Sequence, residues 1–369
     1  MTERWAWAEI DLGAVARNVV RMRAAAQPAG VWAVVKADGY GHGALRVARA
    51  AQAAGATGLC VALVQEGVAL RRAGVGGPIL VLSEQPPEQL DEAVEHDLAL
   101  TVYSATAVEA ANQAAQRRTK VGYPVHLKVD TGMHRVGCHP ADAAGLIERI
   151  EASPGLALAG VATHLAVADE PDDPYTGQQL ATFATVRRSV PAGVLVHAAN
   201  SAGALAHPAA RHDVVRVGIA LYGISPGPGV GPWVSDLEPV LSLRAKVSHR
   251  QRRAAGDRIS YGLRHTFGRD TTVATLPIGY ADGVPRRLSS TGGVVLIGGR
   301  RRPIVGVVTM DQLMVDLGDD EVAIGDEAVL IGRQGDEEIR AAEWAERLGT
   351  IGYEIVCGMS ARVPRRYRE

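Results

Sequence analysis

Eight short apolar runs, spaced by alanine-rich segments of helical period, constrain this chain more than any other feature. They are VWAVV (31–35), GLCVA (58–62), ILVL (79–82), LALTV (98–102), PVHLKV (124–129), LALAGVAT (156–163), VLVHA (194–198) and VVRV (214–217). Strands covered on both faces read as continuous apolar runs, because neither side meets water. Segments such as ALRVARAAQAAG and SATAVEAANQAAQRR supply the helices between them. Eight strand–helix units predict a closed TIM-type (β/α)8 barrel over residues 1–232. An open doubly wound sheet is the competing arrangement. It usually has fewer strands, and no GxGxxG turn follows the first run.

The pattern changes at YGISPGPGVGPW (222–233), where seven of twelve residues are Gly or Pro, as at a domain boundary. Beyond it, VLSLRAKVSH, TVATLPIGY, GGVVLIGG, RRPIVGVVTM, LMVDLG and EAVLIG are Val/Ile-rich and punctuated by Gly and Asp. They predict a mostly antiparallel β domain over 233–369, with one helix at RAAEWAERLG. The first ten or so residues are expected to pair with that domain. The fold class is therefore α/β plus β, and 369 residues suffice for a barrel with an added domain.

Composition narrows the function. Lys+Arg (39) balances Asp+Glu (40), so nothing calls for nucleic acid or an acidic membrane. Cys60, Cys138 and Cys357 lie far apart with no CxxC pair, which suggests neither a disulfide framework nor a metal site. The start, MTERWAWAEIDLGAV, has no apolar leader core, and no run of about 18 apolar residues follows. A soluble cytoplasmic protein is the expectation.

Barrel enzymes gather chemistry at the carboxyl ends of their strands. Lys36 ends the first run, and Lys128, Asp130 and Arg135 close and follow the fifth. His164 ends the sixth, Asn200 and Ser201 follow the seventh, and Arg216 and Gly218 close the eighth. Lys36 reads either as a solvated loop lysine or as an imine-forming nucleophile. The glycines of ADGYGHG would let backbone approach a ligand, and Tyr40 can donate a hydrogen bond. Ser201, Gly218 and Ile219 are placed for a phosphate site of the kind formed after strands seven and eight. Taken singly, His164 reads as a core histidine, Asn200-Ser201 as a helix cap and Arg216 as a salt-bridge partner. In the second domain Tyr261, Tyr280, Asp282, Met310, Asp311 and Tyr353 sit in short motifs that are weak one by one.

Together these motifs strongly resemble the alanine racemase family of pyridoxal phosphate (PLP) enzymes. The carrying pieces are AVVKADGYGHG, KVDTGMHRVG, RVGIALYG, SYG, LPIGYADG, VTMDQLMVD and GYEIVCGMSARVPR. The match runs from WAEIDLGAVARN to ARVPRRY, essentially the whole chain. The resemblance implies a homodimer with shared active sites and PLP at the barrel mouth. It implies that Lys36 holds PLP covalently and that Tyr40, Ser201, Gly218, Ile219 and Tyr353 bind its phosphate. Arg216 would face the pyridine nitrogen, with His164 and Asn200 on the cofactor side. Arg135, with the backbone of Met310 from the partner chain, would take the substrate carboxylate. Lys36 and Tyr261 of the partner subunit would be the two bases. Tyr280 and Asp311 would support the site, and Lys128 matches a lysine carbamylated in many members. Two residues depart from the family pattern: His134 stands where many relatives carry Gly, and Thr309 where a Cys often stands. The implied activity is interconversion of L- and D-alanine for cell-wall synthesis. A racemase favouring serine, a related PLP decarboxylase and a non-catalytic PLP-binding protein are the other readings.

Overall fold

A computed structural model describes residues 4–369, which divide into two compact units: residues 14–238, and residues 4–13 together with 239–369. The second unit opens with β1 (Ala6–Asp11). The first unit carries β2 (Gly30–Val34), β3 (Gly58–Val61), β4 (Ile79–Val81), β5 (Leu100–Val102), β6 (Tyr123–Lys128), β7 (Leu156–Ala162), β8 (Leu195–His197) and β9 (Val214–Val217). Each coincides with one of the eight apolar runs.

All pairings among these eight strands are parallel, in two ladders ordered β4-β3-β2-β9 and β5-β6-β7-β8. Two seams close them into a barrel. At one, Val81 N–H donates to Ala99 O and Ala99 N–H to Ile79 O, both at 2.9 Å. At the other, Asp213 N–H donates to Val196 O and Arg216 N–H to Ala199 O, both at 3.0 Å, and Asp213 Oδ2 accepts from Val196 N–H at 2.7 Å. The two seams thus bring the edge strands of both ladders into backbone hydrogen bonds.

The barrel interior holds more than aliphatic side chains. Trp32 lies beside two histidines, with ring centroids 5.6 Å from His126 and 5.8 Å from His197. Space for these rings is made by glycine. A Cβ on Gly58 would come within 2.6 Å of Trp32 Nε1, and one on Gly160 would run into the His126 ring. Residues beyond Trp233 stay with the barrel, because Asn18 bonds Glu238 through both its backbone N–H (2.9 Å) and its carbonyl (2.8 Å).

In the second unit one sheet runs, strand by strand, His249–Arg253, Thr271–Leu276, Leu313–Gly318, Arg300–Val305, Val294–Ile297, Glu327–Gln334, Leu241–Lys246, β1 and Arg365–Arg368. Its neighbours are antiparallel except β1 with Arg365–Arg368, which is parallel. Alternation in LSLRAK, buried at every second residue, fits a sheet with one covered face. No helix among the described residues is long and apolar enough to cross a membrane.

Gly160→Ala should press a methyl group into the His126 ring and lower the unfolding free energy by about 1–3 kcal/mol. Urea unfolding of the purified variant measures this. An unchanged midpoint would mean that the packing around His126 yields.

Candidate active site

The carboxyl ends of β2, β6, β7, β8 and β9 bring ten candidate residues to one rim of the barrel: Lys36, Tyr40, Lys128, Arg135, His164, Asn200, Ser201, Arg216, Gly218 and Ile219. Arg216 is the deepest. It is buried on β9, and among the described residues no carboxylate pairs with it. Neutral acceptors surround it instead. Nη1 donates to His197 Nδ1 at 2.7 Å. Nη2 faces Thr163 O at 2.8 Å, Ala198 O at 3.1 Å and His164 Nδ1 at 3.2 Å. Burial pulls the guanidinium down to about 10, with Cys60 opposing, so it remains a cation at neutral pH.

A guanidinium only donates, which fixes the histidine tautomers around it. His197 and His164 must each present an unprotonated Nδ1. The remaining Nε2–H of His197 then donates to His126 Nδ1 at 2.9 Å. Burial first, and the Arg216 charge second, hold all three imidazoles neutral: His197 and His164 well below the usual range, His126 at about 3. His126 and His197 join the site although no sequence motif singles them out. Their signal was present, since each is a polar residue inside an otherwise apolar stretch of strand. No motif marks buried Gln179 either. Its side chain bonds Thr131 Oγ1 (3.2 Å), His164 O (3.0 Å) and Ala166 N–H (2.8 Å), holding the segment after β7.

Positive charge crowds this rim. Burial, then Arg216, Arg135 and Lys36, bring the Lys128 amine down to about 8 against the pull of Asp130. Asp130 instead organises the loop that carries Arg135. Its Oδ1 accepts from Gly132 N–H at 2.9 Å and from His134 N–H at 3.1 Å. His134 takes φ 54°, a conformation that glycine adopts without strain. Its ring Nδ1 stands 3.6 Å from Asp130 Oδ2, a contact that a glycine could not make.

Three pieces meet at the loop after β9. Ser201 Oγ accepts from Gly218 N–H at 2.9 Å and lies 3.5 Å from Ala220 N. A Cβ at Gly218 would collide with the Tyr40 hydroxyl, so only glycine lets that hydroxyl and the loop backbone converge. Asn200 caps the short helix Ser201–Ala206, its Oδ1 accepting from Gly203 N–H at 2.9 Å. A hydroxyl-lined loop beside four cations suits a ligand with anionic groups, and Lys36 adds a primary amine to the same rim.

Tyr261, Tyr280, Met310, Asp311 and Tyr353 belong to the second unit. There the fully buried Asp282 is the organiser. Arg4 pairs with it at 2.7 Å and Arg362 at 3.4 Å, and Arg362 reaches on to Asp311 at 2.6 Å. Tyr280 N–H donates to Thr309 O at 2.9 Å and Ala281 N–H to Met310 O at 3.0 Å, so the Tyr280 and Met310 segments lie together. Asp282 O accepts from Ser360 N–H at 3.1 Å, just past the helix Gly352–Cys357 that carries Tyr353. Tyr261 is 75 % exposed and Met310 52 %.

Sequence profiles described as "Alanine racemase, N-terminal domain" and "Alanine racemase, C-terminal domain" match residues 10–226 and 240–367. The alanine racemase of Symbiobacterium thermophilum is 49% identical over 366 residues, covering 98% of this chain and 96% of that protein. That of Thermobifida fusca is 45% identical, covering 98% of each. Among solved structures, the alanine racemase of D-cycloserine-producing Streptomyces lavendulae superposes with a TM-score of 0.93 at 38% identity, covering 100% of this chain and 98% of that one. The alanine racemase of Bacillus anthracis with bound L-Ala-P gives a TM-score of 0.92 at 41% identity, covering 100% and 96%.

A buried neutral histidine makes stability depend on acid. His126 falls from 6.5 unfolded to about 3 folded, so the unfolded chain takes up the extra proton. Its contribution is intact above pH 6.5 and is lost as pH drops from there towards about 3. Over that window parental stability should fall more steeply than that of His126→Asn, by about 1.4 kcal/mol per pH unit. Equal slopes in urea unfolding at pH 5 and pH 7 would contradict a neutral buried His126.

Proposed function

The chain belongs to the alanine racemase family, and on that premise we propose that it interconverts L- and D-alanine with pyridoxal phosphate bound at the barrel rim. One observation carries the reading: a primary amine, a hydroxyl-lined loop and an Arg216 cation without a carboxylate partner share that rim. Lys36 Nζ would hold the cofactor covalently. Tyr40, Ser201, Gly218, Ile219 and Tyr353 would bind its phosphate, Arg216 would face the ring nitrogen, and His164 and Asn200 would line its side. Arg135 and the backbone of Met310 from the partner subunit would take the substrate carboxylate.

The bound cofactor supplies an electron sink that lowers the cost of removing the α-proton. The protein must then deliver a proton to either face. A single base tends to return it to the face it came from, so two are needed. Lys36 Nζ serves one face and the Tyr261 hydroxyl of the partner subunit the other. Tyrosine ordinarily titrates near 10 and is a weak base at neutral pH. His164 offers a remedy. Because Arg216 occupies its Nδ1, its proton sits on Nε2, ready to donate to a phenolate oxygen.

Shared sites require a homodimer. The exposed bodies of Tyr261, Leu263, Tyr280, Met310 and Ile351 in the second unit support a covered surface there. The lowered Lys128 amine supports carbamylation: the neutral amine adds CO2, releases a proton and becomes an anion among Arg135, Arg216 and Lys36. We place the activity in the cytoplasm, supplying D-alanine for the cell wall.

Purified enzyme should racemise alanine faster than serine or any other amino acid tested. A serine preference would transfer the reading to that substrate, and bound cofactor without turnover would reduce it to a binding protein. Tyr261→Phe should lose at least about a hundredfold in racemisation. Parental rates of solvent deuterium entry at the α-carbon from both L- and D-alanine would overturn the two-base account.

A further inference from the structure

The backbone directly after Lys36 is left-handed. Ala37 (φ 52°), Asp38 (51°), Gly39 (62°), Tyr40 (52°) and Gly41 (81°) follow one another in that region, and only two of the five are glycine. L-residues avoid it, so such a turn persists only where its surroundings hold it. Local bonds do part of this. Gly39 N–H donates to Val35 O and Gly41 N–H to Ala37 O, both at 2.9 Å, and Asp38 Oδ1 accepts from Ala44 N–H at 2.9 Å.

A further bond reaches the turn from the corner after β3. Ala37 N–H donates to Glu66 Oε1 at 2.6 Å. The second oxygen of that carboxylate, Oε2, accepts from Ala62 N–H at 2.8 Å and Leu63 N–H at 3.1 Å. Glu66 lies in the first turn of the helix Val64–Arg72, so its Oε2 alone satisfies the corner between β3 and that helix. The same corner has a second brace in Gln85, whose Nε2 donates to Ala62 O at 3.2 Å. Oε1 is therefore free to serve the turn, and it holds the residue next to Lys36.

We propose that Glu66 is a positioning residue for Lys36. Its carboxylate fastens the left-handed turn to the β3 corner and so fixes where the Lys36 amine and the Tyr40 hydroxyl emerge at the barrel rim. The role in cofactor chemistry rests on the reading of Lys36 as the lysine that holds pyridoxal phosphate. The carboxylate matters because it has two acceptor oxygens serving two places, whereas glutamine has one. Glu66→Gln keeps the size of the side chain and can serve one place only.

The test has two arms. In hydrogen exchange of the parental holoenzyme, the Ala37–Gly41 amides and those of Ala62 and Leu63 should open together, with one denaturant dependence. In Glu66→Gln the turn amides should exchange roughly tenfold faster, the scale expected for losing a hydrogen bond to a charged group. Gln85→Ala, which loosens the corner from its other side, should raise exchange of the corner and turn amides together. For the cofactor arm, the enzyme is reduced with borohydride and digested. A pyridoxyl mass on the parental Lys36 peptide supports the functional reading, and its absence overturns that reading while the exchange arm still decides the role of Glu66. With the parental peptide labelled, Glu66→Gln should release pyridoxal phosphate roughly tenfold faster before reduction. Parental release and exchange rates in Glu66→Gln, or separate opening of turn and corner in the parental enzyme, would overturn the proposal. The second result needs no variant to fold.

Discussion

A buried guanidinium that no carboxylate pairs with among the described residues is the constraint on which this barrel turns. Taking a cation out of water is costly unless strong acceptors replace the lost hydration. Arg216 finds neutral ones: two carbonyls and two imidazoles, on or just after β7 and β8. That choice propagates. The acceptors must stay neutral, so His164 and His197 are single tautomers, and His197 passes the constraint to His126. Fitting two imidazoles and Trp32 into one interior then demands Gly58 and Gly160. A carboxylate at Arg216 would relieve the charge, yet it would also give a bound pyridine ring access to an acid. A guanidinium with a pKa of about 10 keeps its proton. Under the proposed function this limits how far charge spreads into the ring, which favours simple proton return over side reactions such as transamination.

Strain concentrates at both residues proposed as bases. Lys36 opens a turn of five left-handed residues. Tyr261 follows Ser260, which sits at φ 68° and ψ −178°, a region nearly reserved for glycine, and precedes Gly262 (74°) and Leu263 (50°). Such conformations cost about 1–3 kcal/mol each and persist where the surroundings over-determine them. Glu66 and Asp38 do this for the first turn. Ser260 Oγ, donating to Val307 O at 3.3 Å, contributes to the second. Each unit thus spends folding energy on aiming one side chain.

Much of the barrel was legible because a strand covered on both faces has no choice but to be apolar, and eight such runs leave few topologies. The rim residues were legible for a related reason: Lys36 and Arg216 break or end apolar runs, where a cation needs a purpose. What stayed hidden depends on partners distant in sequence. The left-handed turn contains an alanine and a tyrosine that no local rule sends to positive φ. It is imposed in part by Glu66, twenty-nine residues on. The His126–His197 contact joins strands 71 residues apart, and neither histidine announces which neighbour it will meet. Nothing in LPIGYADG tells that Asp282 is fully buried under Arg4 and Arg362, from opposite ends of the chain.

The account stands most directly on the charge of Arg216. Its decisive measurement is the ratio of pyruvate formed to alanine racemised by Arg216→Glu, beside the parental enzyme under the same conditions. Slower racemisation and a larger pyruvate fraction are expected, because a carboxyl group there would share a proton with the nitrogen of a bound pyridine ring where a guanidinium would not. Parental turnover with an unchanged pyruvate fraction would contradict it.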